Sequence, residues 1–298
     1  MELLRTPDER FLGLPDWDLA PEYVDLTGGI RVASVSAGPA DGPVVLLLHG
    51  EPSWSYLYRF MLPVLASAGL RAVAVDLVGF GRSDKPAQVA DHSYAAQVAW
   101  TAEAVLDRLG LEDITLVCQD WGGLIGLRVL AEAPTRFARV VAANTGLPDG
   151  TVRLPDVWWR FHDFVQRTED LPVGFLVDGA TLRALADEER AAYDAPYPSP
   201  SYKAGPRAMP GLIPQALDAP GAAENQAAWR VLEKWDKPFL TAFSDSDPIT
   251  RGAERLFQKR VPGAGGLRHP TITGAGHFLQ EDAGPELAQV VVDLIAST

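Results

Sequence analysis

Several things are scarce in this chain of 298 residues, and each scarcity excludes something. There is one cysteine, Cys118, so no internal disulfide can form and a reducing compartment is allowed. No run of 18 apolar residues occurs, so no membrane-spanning helix is expected. Basic residues are outnumbered 26 to 39 by acidic ones, giving a net charge of -13, which disfavours a nucleic-acid partner. No group of His, Cys and carboxylates has metal-ligand spacing, so no metal is expected. The Gly79/Gly81 turn lacks the Lys and Ser/Thr of a phosphate-binding loop. Internal repeats and low-complexity tracts are missing as well. The first residues, Met1-Glu2-Leu3-Leu4-Arg5, lack a basic-then-apolar targeting pattern, and a cytoplasmic location is the expectation.

What is present is alternation. Continuous apolar runs at Val44–Leu48, Ala72–Val75, Ile114–Val117, Val140–Ala143 and Pro238–Phe243 read as strands buried on both faces. Helical patterns separate them, near Tyr56–Ala68, Ser93–Leu109 and Trp121–Ala133, and a last helix spans roughly Pro285–Ile295. A hairpin, Tyr23–Leu26 and Ile30–Val35 around Gly28-Gly29, precedes them. This predicts an α/β fold with a mostly parallel sheet flanked by helices. The alternation fails between about Asp149 and Asn225, where Trp, Phe, Pro and Ala dominate. That stretch is expected to be a helical cap inserted after the sixth strand. Residues 1–148 and 226–298 would form the core and 149–225 the cap, over the sheet edge where ligands bind in such folds.

The most informative stretch is Cys118-Gln119-Asp120-Trp121-Gly122-Gly123, between an apolar strand and a helix. Small residues two before and two after the apex fit a nucleophile elbow, the sharp turn of the α/β-hydrolase fold. The apex usually holds Ser; here it holds Asp120. A carboxylate is already ionised at neutral pH and needs no base to attack a tetrahedral carbon. The ester so formed must then be hydrolysed, which needs a base for water and donors for an oxyanion. His277, in Gly274-Ala275-Gly276-His277-Phe278, is the base candidate. The orienting acid is expected at Asp247, with Asp245 its rival: nucleophile–acid–His is the order of this fold, and Asp247-Pro248 resembles the family pattern at this loop. The oxyanion donors would be the main-chain N–H groups of Trp121 and Glu51.

His49-Gly50-Glu51-Pro52-Ser53-Trp54, Gln119-Asp120-Trp121-Gly122-Gly123, Ala195-Pro196-Tyr197-Pro198 and Ala275-Gly276-His277-Phe278 together resemble the haloalkane dehalogenases, in the subgroup with a His-Gly-Glu-Pro loop. The resemblance runs nearly end to end and includes Leu4–Phe11. It implies that Asp120 displaces halide, His277 activates water and Asp247 orients His277, with no cofactor. Its partners would be a small apolar halogenated substrate and the halide ion, and the protein would be a monomer. It also implies two halide donors. Trp121 is one. The other lies in the cap, where Trp158 and Trp159 are adjacent candidates; Trp159-Arg160-Phe161 matches the family's Trp-basic-aromatic order better, so the expectation falls on Trp159. Indole N–H is donor-only, which suits an anion in an apolar pocket.

Alternatives carry less of the chain. An epoxide hydrolase shares the Asp elbow and would need cap tyrosines, for which Tyr193, Tyr197 and Tyr202 are available. A fluoroacetate dehalogenase would have Arg-Gly where Trp121-Gly122 stands. A non-catalytic receptor has no need of the Asp, Asp, His set. Asp76 reads as a turn former and His49 as structural; His92, His162 and His269 read as surface residues.

Overall fold

The computed structural model describes residues 1–298. Its main sheet has seven strands: β1 Glu22–Asp25, β2 Arg31–Ala37, β3 Val44–Leu48, β4 Arg71–Val75, β5 Ile114–Gln119, β6 Phe137–Ala143 and β7 Phe239–Thr241. Their order across the sheet is β1-β2-β4-β3-β5-β6-β7. β1 and β4 each pair antiparallel with β2, and every later pairing is parallel. This is the architecture expected from the alternation of strands and helices.

The apolar runs become strands because both faces are covered. Val45 and Leu47 of β3 join one core cluster, of 37 buried residues, while Leu46 and Leu48 join the other, of 38. Alternate side chains of a strand point to opposite faces, so near-equal clusters mean a sheet clad equally on both sides. The cladding helices include α1 Leu62–Ser67, α2 Tyr94–Ala102 and α3 Trp121–Glu132. A π-helical turn, Glu103–Arg108, prolongs α2. The stretch Tyr56–Ala68, expected as one helix, divides instead into a short 3-10 turn at Ser55–Tyr58 and α1, with Pro63 in the first turn of α1.

Between β6 and β7 no strand forms. The chain runs through α4 Asp156–Arg167, α5 Val173–Asp178, α6 Asp187–Asp194, α7 Ala204–Ala208 and α8 Ala222–Leu232. α8 lies against the core: Trp229 Nε1 donates to Leu147 O at 2.8 Å and Arg128 Nη1 to Asn225 Oδ1 at 3.3 Å. After β7 come α9 Ala253–Arg260 and α10 Leu279–Ser297, which is kinked at Ala283.

A buried ionic cluster fastens α6 to the core. Arg59 reaches Glu189 Oε1 of α6 at 2.8 Å and Glu281 Oε2 of α10 at 2.8 Å. Arg183 reaches Glu189 Oε1 at 2.7 Å and also contacts Glu281, as does the Tyr193 hydroxyl. The side chains of Arg59 and Glu281 are fully buried, so each carries a charge that only the other members of the cluster neutralise.

Candidate active site

The site is built at the C-terminal ends of β3, β5 and β6. β5 ends at Gln119, and Asp120 then adopts φ 50 and ψ -126, a conformation that L-residues rarely occupy. The turn is sharp enough that α3 starts at the next residue. It also explains the small residues beside it. A Cβ on Gly122 would sit 1.9 Å from Leu48 O, and one on Gly123 would sit 2.0 Å from Thr145 Oγ1. A Cβ on Gly50 would meet the Asp120 Cβ at 2.3 Å, so the loop after β3 packs directly on the apex.

That loop delivers the Glu51 N–H to Asp120 Oδ1 at 2.9 Å. The Trp121 N–H, first in α3, has no main-chain acceptor, as expected at a helix start. On the other side of Asp120, Oδ2 lies 3.5 Å from His277 Nε2. His277 Nδ1 lies 3.1 Å from Asp247 Oδ2, the distance of a donated hydrogen bond. Asp247 is almost fully buried and is itself fixed by N–H donors from Ile249 at 2.8 Å and Thr250 at 3.2 Å, and by the Thr250 hydroxyl. Asp245, the rival acid, instead bonds the N–H groups of Gly274 and Ala275 at the surface.

Electrostatics follow from this packing. Burial pulls the His277 imidazolium down, but the Asp247 and Asp120 carboxylates outweigh it and push His277 up to about 10. Burial raises Asp247, and His277, Thr250 and the Ile249 N–H more than reverse that, leaving it at about 2. In the resting site, His277 is therefore a cation between two carboxylates.

Above Asp120 is a small enclosed cavity of about 60 Å³, lined by Glu51, Asp120, Trp121, Trp158, His277 and apolar residues that include Phe161, Leu176, Ile213 and Ile249. It has room for a few waters or one short alkyl chain. Trp121 is buried at its floor and packs edge-on against Tyr94 at 5.1 Å.

The cap residue opposite Trp121 is Trp158, not Trp159. Both lie on α4, where consecutive side chains diverge by about 100°. Trp158 is 6 % exposed and lines the cavity; Trp159 is 37 % exposed and lines a shallow surface depression with Arg153 and Arg160. Trp159, the residue expected at the halide, is turned outward by this helical phase and does not line the cavity. None of Tyr193, Tyr197 and Tyr202, the cap tyrosines an epoxide hydrolase would use, lines the cavity.

Two polar residues of the site were not anticipated. Gln119 Nε2 lies 3.1 Å from His277 Nε2 and donates to His277 O at 3.2 Å. Asn144, at φ 39, donates through Nδ2 to Gly276 O at 2.9 Å and to His277 O at 3.0 Å. Both hold the His277 loop in place. Among the other histidines, His49 is buried, with Nε2 accepting from the Leu77 N–H at 3.0 Å. His92, expected at the surface, is also buried, bonded to Pro86 O at 3.2 Å and set edge-on to Trp100. His269 is half-buried and accepts the Thr241 N–H at 3.0 Å. Asp76 is a buried turn former, accepting from the Ser55 and Arg82 N–H groups at 2.8 Å each. No three His, Cys or acidic side chains converge as a metal site, and no helix is long and apolar enough to cross a membrane.

Residues 43–284 match the alpha/beta hydrolase fold family. The haloalkane dehalogenase of Psychrobacter cryohalolentis is 50% identical over 99% of this chain and 98% of its own. The chain belongs to the haloalkane dehalogenase family. The Mycobacterium marinum haloalkane dehalogenase is 47% identical, covering 98% of this chain and 99% of that one. Among solved structures, haloalkane dehalogenase DpaA of Paraglaciecola agarilytica, described as tetrameric, superposes with a TM-score of 0.90 at 34% identity over 97% of both chains. The enzyme is thus a hydrolase of carbon–halogen bonds. The observed fold agrees with the one the family implies.

Proposed function

We propose that this dehalogenase works in two steps through an alkyl ester on Asp120. The observation that carries this reading is the placement of the Asp120 carboxylate between the Glu51 N–H, the His277 imidazole and two inward-facing indoles. In the first step an Asp120 oxygen attacks the halogen-bearing carbon and the C–X bond breaks. Halide forms between the Trp121 and Trp158 N–H groups, which supply the donors a buried anion requires. The substrate is a small apolar haloalkane, in keeping with a cavity walled by Phe161, Leu176, Ile213 and Ile249. The helical segment 149–225 serves as the cap that closes it.

The second step follows from charge. Alkylation removes the Asp120 charge and with it part of what raises His277. The imidazole then gives up its proton more readily and acts as base toward water, with Asp247 holding Nδ1. Water adds to Asp120 Cγ and its proton passes to His277. The oxyanion on Oδ1 is met by the N–H groups of Glu51 and Trp121. On collapse the ester C–O bond breaks, the alcohol oxygen takes the proton held by His277, and the Asp120 carboxyl passes its own proton to the imidazole, restoring the resting carboxylate and imidazolium; the one net proton is the one His277 gave to solvent after alkylation.

His277→Ala should therefore stop the second step and spare the first. With 1,2-dibromoethane the variant should release about one bromide per enzyme and carry a stable alkyl adduct on Asp120, read by peptide mass spectrometry. An unmodified Asp120 after bromide release would end this mechanism.

A further inference from the structure

Gln119 is the last residue of β5 and is fully buried beside His277. Its carboxamide nitrogen touches His277 twice, 3.1 Å from Nε2 and 3.2 Å from the main-chain oxygen. Its Oε1 is enclosed without a hydrogen-bond partner. Holding the His277 loop explains the second contact and not the first. The main-chain oxygen decides which end of the amide faces His277, because it only accepts and so takes an N–H. Turning the amide over would set Oε1 against that oxygen. The nitrogen therefore stays, and its other N–H is left for the ring.

An N–H donor at Nε2 fits one form of His277 and not the other. The imidazolium carries a proton on each ring nitrogen, so donor would face donor. The neutral ring with its proton on Nδ1, toward Asp247, has a lone pair at Nε2 that accepts. In the resting site two carboxylates decide the matter. Asp247 Oδ2 lies 3.1 Å from Nδ1 and Asp120 Oδ2 lies 3.5 Å from Nε2, and together they hold the cation against burial. Alkylation removes the charge on the Nε2 side, and the balance there shifts toward the amide.

We propose that Gln119 is a positioning residue that holds His277 in its neutral, base-competent form once Asp120 is alkylated. This rests on the two-step reading above. Nε2 gives its proton to solvent and accepts the Gln119 N–H, which keeps the remaining proton on Nδ1. The incoming water then donates to the same lone pair. The other ionisable groups near His277 do not act in this direction. Asp247 and Asp120 favour the cation. Glu51, across the cavity, is held well above the usual carboxyl range chiefly by burial, and as an anion it would favour the cation too. Asp245 and Asp282 bond the N–H groups of Gly274, Ala275 and Gly276, on the main chain of the loop and not on the ring.

The test is the pH dependence of adduct decay, followed by rapid-quench mixing with 1,2-dibromoethane and mass spectrometry of Asp120. Gln119→Met keeps the length of the side chain and removes its N–H. It should move the midpoint of decay up by about half to one pH unit, the effect of one neutral hydrogen bond. Gln119→Glu puts a carboxylate at Nε2 and should raise the midpoint further. A residue that only holds the loop would lower the plateau rate and leave the midpoint where it is. Thermal unfolding shows whether each variant is folded; Gln119→Leu replaces Gln119→Met if needed. An unmoved or lowered midpoint in the apolar variant, or one in Gln119→Glu no higher than in the apolar variant, overturns the proposal. Absence of an adduct on Asp120 in these variants and in His277→Ala alike would instead overturn the two-step reading beneath it.

Discussion

Substituting the two adjacent cap tryptophans one at a time should give opposite results. Trp158→Phe keeps an aromatic ring against His162, whose ring stacks on Trp158 at 5.3 Å, but removes the indole N–H from the cavity. A hydrogen bond to a charged partner contributes about 1.5–3 kcal/mol. At 1.36 kcal/mol per tenfold, bromide should bind roughly 10–150-fold more weakly. Trp159 is 37 % exposed and faces away from the cavity. Surface substitutions usually stay within about 0.5 kcal/mol, so Trp159→Phe should change bromide affinity by about twofold at most. Isothermal titration with bromide reads both without depending on which indole fluoresces. The first step should follow the same order in rapid-quench experiments, because the leaving halide carries its charge in the transition state. A tenfold loss in Trp159→Phe with near-normal binding in Trp158→Phe would refute the helical-phase argument and return the donor role to Trp159.

Two further outcomes follow from buried charge. His277 is held at about 10 against an ordinary value of 6.5, so the stabilisation it gives is complete below pH 6.5 and is lost as pH rises through about 10. The Tm difference between wild type and His277→Gln should therefore be widest near pH 6 and shrink toward pH 10 in differential scanning fluorimetry; a gap that does not change would contradict the assigned charge. Decay of the alkyl-enzyme should rise with pH to a midpoint below 10, since the ester no longer supplies the Asp120 charge. At the cap junction, Glu281→Leu leaves Arg59 buried with only Glu189 for compensation. Breaking such a cluster removes about 3–5 kcal/mol, which lowers Tm by roughly 10 °C in a chain of this size. A Tm within 2 °C of wild type would show that the cluster contributes little.

The core of this fold is legible in sequence because its strands are buried on both faces and its elbow is crowded. Val44–Leu48 is apolar at every position, which leaves few readings other than an inner strand. Gly122 and Gly123 sit where a single Cβ would strike Leu48 O or Thr145 Oγ1, so the elbow writes its geometry into its composition. The His277–Asp247 contact spans 30 residues between two loops; chain order suggested an acid in this loop, and the resemblance of Asp247-Pro248 to the family pattern chose it over Asp245. Gln119 and Asn144 left no comparable signal. Their work is to hold a main-chain carbonyl of a distant loop, and a carbonyl has no residue type to search for. His92 was misjudged for a related reason. Its partners are Pro86 O, Gln97 Nε2 and the ring of Trp100, and none marks the sequence as a charge or a metal ligand would.

The tryptophan pair shows which kind of evidence to prefer when two are available. Trp159-Arg160-Phe161 was chosen as a linear pattern, and a linear pattern does not encode which way a side chain points. Periodicity does. Trp158, Phe161 and Val165 are spaced by three and four, so on a helix they share one face. In the structure Trp158 and Val165 are buried, and Phe161 lines the cavity beside Trp158. Trp159 belongs with Arg160 and Asp163 on the wet side, the company expected of a residue facing water. Halide capture needs an N–H inside an apolar enclosure, so a donor on α4 must come from the buried stripe. The spacing of apolar residues along the cap helix therefore outranks the order of residues in the motif, and it supports the proposed role of Trp158.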